Sequence, residues 1–134
     1  MTDKVKTLGV NLAVACFIGL LMIAVTVQYR QWRQFGKGEK ALAVGDYIQA
    51  VAGYESAIHM YTPGSPLVAG AAEKLWQIGE TLERQGDTDK ALIAYRALRS
   101  SFYAAHWLIT PGRDWIARCD AKIKALAKPV QPAK

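Results

Sequence analysis

The side chains of this 134-residue chain that could do chemistry are few and scattered. Two histidines, His59 and His106, are remote from each other and sit in no ligand or catalytic spacing. Cys16 and Cys119 lack the close Cys or His neighbours that zinc needs. Only Cys119 lies outside the apolar N-terminal run, so no disulfide can form within the rest of the chain. A nucleophile elbow, a phosphate-cradling glycine loop and a carboxylate pair poised for proton transfer are all missing from the sequence. The densest ionisable group is on one predicted helix, where Glu73, Trp76, Glu80 and Glu83 fall at i, i+3, i+7 and i+10 and share a face. That face is either a binding surface or an ordinary solvated one with Trp76 packed on a neighbouring helix. The expectation is a chain that is not an enzyme, with no cofactor and no metal.

The elements that carry these residues begin with an apolar run. "LGVNLAVACFIGLLMIAVTV", from Leu8 to Val27, has no charge. As a helix it would be about 30 Å long, the thickness of a bilayer's hydrocarbon core. A cleaved secretory signal would be shorter and end in a small-x-small site, which "AVTVQYR" does not supply. The segments read as a short tail at 1–7, a transmembrane helix at 8–29 and a juxtamembrane stretch at 30–37. Tyr29, Arg30, Trp32 and Arg33 stand where aromatic rings and guanidiniums meet lipid headgroups. Gly36 and Gly38 suggest a break or bend in the helix. Gly9 and Ala13, like Ala15 and Gly19, are spaced so that two copies could associate through the membrane helix.

Beyond the anchor the pattern is all-α, with no strand-like alternation. "TPGSP" at 62–66, "QGDTD" at 85–89 and "TPGRD" at 110–114 punctuate it. Helical segments are expected over 39–61, broken at Gly45, then over 68–84 and 90–102. A final amphipathic helix within 111–127 would face Trp115, Cys119, Ile123 and Leu126 inward, and Arg118, Lys122 and Lys124 outward. The tail at 128–134 reads as disordered. The net charge of +6 is divided between basic ends and a mildly acidic centre. That is not the one-faced stripe of a nucleic-acid binder. Lipid or an acidic partner suits the basic ends better.

A pattern recurs within 38–110. Gly38, Gly45, Ala50 and Tyr54 are answered by Gly79, Gly86, Ala91 and Tyr95, each forty-one residues on. Recurrence on this scale marks stacked helical hairpins, in which small residues let paired helices approach closely. The frame resembles the tetratricopeptide repeat, whose glycine, turn glycine, alanine and aromatic stand at these positions. Ala57 matches the family's next small position, and Leu98 in the second copy does not. Leu75, Ile78 and Leu82 fit its apolar packing positions, which Gln34, Lys37 and Ala41 occupy in the first copy. The resemblance implies about two hairpins with a capping helix. It also implies that Glu73, Trp76, Glu80, Glu83 and Arg84 line a concave groove for a basic protein segment. A second candidate surface is the aromatic turn 103–115, with Tyr103, Trp107, Arg113 and Trp115. Its rings alternatively seal the end of a small core.

Two basic residues precede the anchor and four follow it, Arg30, Arg33, Lys37 and Lys40. The positive-inside rule therefore leans toward a cell-membrane protein whose repeats are cytoplasmic. The amino terminus and Lys6 narrow that difference, so a periplasmic or extracellular side stays open. The expected function is a non-catalytic, single-pass adaptor that binds a protein partner at the bilayer. The alternative is an accessory subunit of a larger membrane complex, touching it through the membrane helix and the 103–115 turn.

Overall fold

The computed structural model of the chain describes residues 2–105 and 111–127. Its regular structure is all-α. In chain order the helices are α1 (Thr2–Ala43), α2 (Tyr47–His59), α3 (Pro66–Arg84), α4 (Thr88–Ala104) and α5 (Arg113–Leu126). Contacts divide the chain into two units, residues 1–30 and 31–134. His106, Trp107 and the tail at 128–134 lie outside the described residues.

In the first unit Leu8 is 70% exposed and Met22 67%, and none of the described residues is buried. Thr26 donates its hydroxyl to the Met22 carbonyl at 2.8 Å, so this hydroxyl within the apolar run is satisfied by its own helix. By length and composition α1 is apolar enough to cross a membrane.

The interruption expected at Gly36 and Gly38 does not occur, because α1 is helical through both. Glycine weakens a helix by about 1 kcal/mol relative to alanine, but tertiary contact overrides the penalty. Gly38 is buried, and a Cβ there would lie 2.9–3.1 Å from the Tyr54 ring. α1 therefore runs on to Ala43 and forms the first hairpin with α2. Gly53 faces it, and a Cβ on Gly53 would meet the Gly38 nitrogen at 2.6 Å. The two backbones touch directly.

Both hairpins turn by the same device. Gly45 and Gly86 are left-handed, at φ 77° and 80°. The amides of Gly45 and Asp46 donate to the carbonyls of Leu42 and Ala41, and those of Gly86 and Asp87 to Glu83 and Leu82. This is a Schellman ending, which glycine permits at no steric cost. Asp46 and Asp87 then cap the next helix, accepting from the amides of Gln49 and Lys90.

Inside the second unit α3 packs on α2 and α4, and α4 on α2, α3 and α5. Tyr54 and Tyr95 are fully buried against Gly38 and Gly79. Phe35 meets Tyr54 edge-on at 5.3 Å between ring centres, and Trp76, forty-one residues later, meets Tyr95 at 5.0 Å. Ile116 and Cys119 of α5 repeat the inward positions of Leu75 and Ile78 at the same spacing, and both are buried. The match then ends. Where α3 has Trp76 and Gly79, α5 has exposed Ala117 and Asp120, and Asp120 pairs with Arg99 of α4. Lacking the glycine that would seat another tyrosine, α5 closes the stack.

Candidate interaction surfaces

On α3 the five residues expected to line a groove have different environments. Trp76 is only 7% exposed. Its ring lies 5.0 Å from Tyr95 and 6.0 Å from Trp115, and the Arg118 guanidinium stacks 4.2 Å above it and 4.5 Å from Trp115. It packs on the neighbouring helices, and Arg118, expected to point outward, roofs it. Glu73 and Arg84 are exposed and Glu80 half-buried. Glu73 accepts a bond from Gln77, and Arg84 donates to the Glu80 carbonyl.

Glu83 is already engaged. Lys122 of α5 reaches it at 2.8 Å, and Tyr95 donates its hydroxyl to the same oxygen at 2.9 Å. Those two donors, Lys122 foremost, hold its carboxyl below the usual range. Burial, followed by the Glu83 contact, raises the Tyr95 phenol. The first hairpin repeats the chemistry with different residues. Tyr54 donates to Glu39 at 2.6 Å, and Lys74 lies 3.3 Å from that carboxylate. Glu39 is lowered by Tyr54 first and Lys74 after it, and Tyr54 is raised by burial first and Glu39 after it. Each trio ties the second helix of a hairpin to its first helix and to a lysine of a later one. A charged hollow of about 370 Å³ lies beside the second trio, lined by Glu80, Glu83, Arg84 and Lys122.

The rest of the 103–115 candidate is only partly described. Tyr103 is 51% exposed, with the Arg99 guanidinium 4.6 Å over its ring. Arg113 is exposed and Trp115 half-buried against Trp76. Gly112 caps α5 at φ 69°, tight against Phe102. His59 is exposed, 3.9 Å from Glu55. Burial pushes the Cys119 thiol up to about 11. Among the described residues no three His, Cys, Asp or Glu side chains gather.

Of the four residues expected at a lipid interface, Tyr29 and Arg30 belong to the first unit, Trp32 and Arg33 to the second, and all four are exposed. Between Trp32 and Arg30 in sequence sits a residue that pattern reading passed over. Gln31 is fully buried. Its amide nitrogen donates to the carbonyls of Ala57 at 2.9 Å and Met60 at 3.1 Å, and its oxygen accepts from Ser65 at 2.8 Å. Ala57 lies in the last turn of α2, whose carbonyls have no helical partner, so Gln31 caps α2 from another helix. Ser65 precedes α3 but makes no side-chain cap there, its hydroxyl being given to Gln31. A lone glutamine among aromatics and arginines carries no sequence signal for such a role. Phe35, by contrast, was readable from its spacing to Trp76.

Comparison with protein-family models, curated proteins and solved structures finds no match.

Proposed function

We propose that this chain is a non-catalytic adaptor, anchored in the cell membrane by the apolar part of α1, whose second unit binds a protein partner. The observation that carries this reading is the composition of α1. From Leu8 to Val27 it is apolar and unburied, and from Gln31 onward it supplies the first helix of a packed hairpin stack. A helix with that exposed surface is stable in lipid and costly in water. The tetratricopeptide resemblance supports a binding role, because stacked hairpins of this kind present a face built from their first helices. Carbonate washing of native membranes and the mass of the mature chain test the anchor. A chain released by carbonate, or beginning after Val27, would overturn it. Crosslinking with mass spectrometry in mild detergent identifies the partner, and cysteine accessibility on either side assigns the orientation.

The burial of Trp76 and the engagement of Glu83 by Lys122 favour a second reading, an accessory subunit of a larger membrane complex. They leave few free groups on the α3 face for a peptide. The subunit would then be held through its membrane helix and the surface around Tyr103 and Arg113. Replacing residues 8–27 with an unrelated membrane helix separates the two. An adaptor keeps its partner, and a packed subunit loses it.

A further inference from the structure

Arg33, Lys37 and Lys40 occupy one side of α1 in the second unit, at i, i+4 and i+7. All three are exposed, while Gln31 and Gly38 on the same helix are buried in the hairpin stack. Among the described residues no carboxylate lies within ion-pair distance of them. From Lys4 to Val44 the sole acidic residue is Glu39, and its carboxylate is taken by Tyr54 and Lys74. None of the ion pairs among the described residues uses Arg33, Lys37 or Lys40. Lys74, Lys90, Arg99 and Lys122, on later helices, each have a carboxylate partner.

Forty-one residues beyond Lys37 stands Ile78, which is 2% exposed. Lys37 therefore replaces a core residue at the open end of the stack.

We infer that this ridge is a docking surface for anionic phospholipid headgroups, a deepening that rests on the membrane-anchor reading above. Two observations favour lipid over an acidic protein. Arg33 is only six residues past Val27, and six residues extend no further than about 20 Å, so the ridge begins close to the end of the apolar run by connectivity alone. Trp32, 62% exposed, stands immediately beside Arg33, and indole is an interfacial side chain. A basic cluster directly following a membrane helix draws anionic lipid, with about a fivefold preference per residue at the surface. Long lysine stems let the charges reach phosphate while the backbone stays in the stack.

The test uses the full chain reconstituted in phosphatidylcholine bilayers containing phosphatidylglycerol. Association of spin-labelled phosphatidylglycerol and spin-labelled phosphatidylcholine with the protein is compared by electron spin resonance. The native chain should prefer phosphatidylglycerol, and molar salt should weaken the preference by screening. In the variant Arg33→Gln/Lys37→Gln/Lys40→Gln the preference should fall at least about fivefold. Lys37→Arg/Lys40→Arg, which keeps charge, should retain it. Equal association of the two lipids with the native chain, or full preference in the triple glutamine variant, overturns the ridge and leaves the anchor standing. Failure of the native chain to enter the bilayer sinks the anchor itself. Tighter binding of poly-glutamate than of phosphatidylglycerol vesicles at the ridge would assign it to an acidic protein and overturn the lipid proposal.

Discussion

The Tyr95 ring lies so close over Gly79 that a Cβ on the glycine would sit 2.5 Å from it. The ring cannot retreat easily, since it is fully buried, packed at a tilt against Trp76 and bonded to Glu83 through its hydroxyl. The hairpin of α3 and α4 is thus built on the absence of a side chain.

Alanine substitutions at three helical glycines should therefore have three different outcomes in denaturant unfolding. Gly36→Ala meets nothing within 4 Å and should stabilise by up to about 1 kcal/mol through helix propensity. Gly79→Ala gains the same propensity but overpacks a buried ring, for a net loss of about 1–2 kcal/mol. Gly53→Ala collides with the backbone of α1, which cannot rotate away, and should cost about 3 kcal/mol or more. A flat series would mean that the helices are free to separate.

Gln31→Ala should destabilise the second unit by about 2–4 kcal/mol, because it orphans the Ala57 carbonyl and the Ser65 hydroxyl and leaves the Met60 carbonyl only its longer bond from Thr62. Hydrogen exchange should quicken first in the last turn of α2. Gln31→Met keeps much of the volume and none of the hydrogen bonds. If it matched the native chain, packing rather than hydrogen bonding would hold α1 there.

Stability should fall at both ends of the pH scale. Glu39 and Glu83 have folded pKa values below their unfolded ones, so their contribution is complete above the unfolded value and is lost as pH falls through the folded one. Tyr54 and Tyr95 are raised, so theirs is complete below pH 10 and is lost as pH climbs from there. Tyrosinate absorbance followed together with circular dichroism checks the alkaline limb. These two phenols should ionise only as the helices melt, and early ionisation in a folded chain would contradict the buried bonds.

Cys119 should resist thiol reagents in a Cys16→Ser background until the chain unfolds, since it is fully buried and its thiol is pushed up to about 11. Stopped-flow labelling against denaturant should track unfolding. Rapid labelling of the native chain would show that α5 opens locally.

Residue types and spacing alone determined the helical class, the apolar length of α1 and the two turns. Those are local matters: hydropathy sums along a run, and left-handed glycines followed by capping aspartates read the same in any context. Contacts between segments remote in sequence were decided only by the tertiary structure. Gly38 looked like a helix breaker because propensity counts its entropy and cannot count the Tyr54 ring it receives. Trp76 looked equally suited to a groove or a core until Trp115 and Arg118 of α5 arrived over it. Gln31 was invisible, because its value lies in carbonyls left over at the end of a different helix. A pattern records what each residue prefers, and only the assembled chain shows which partner it is given.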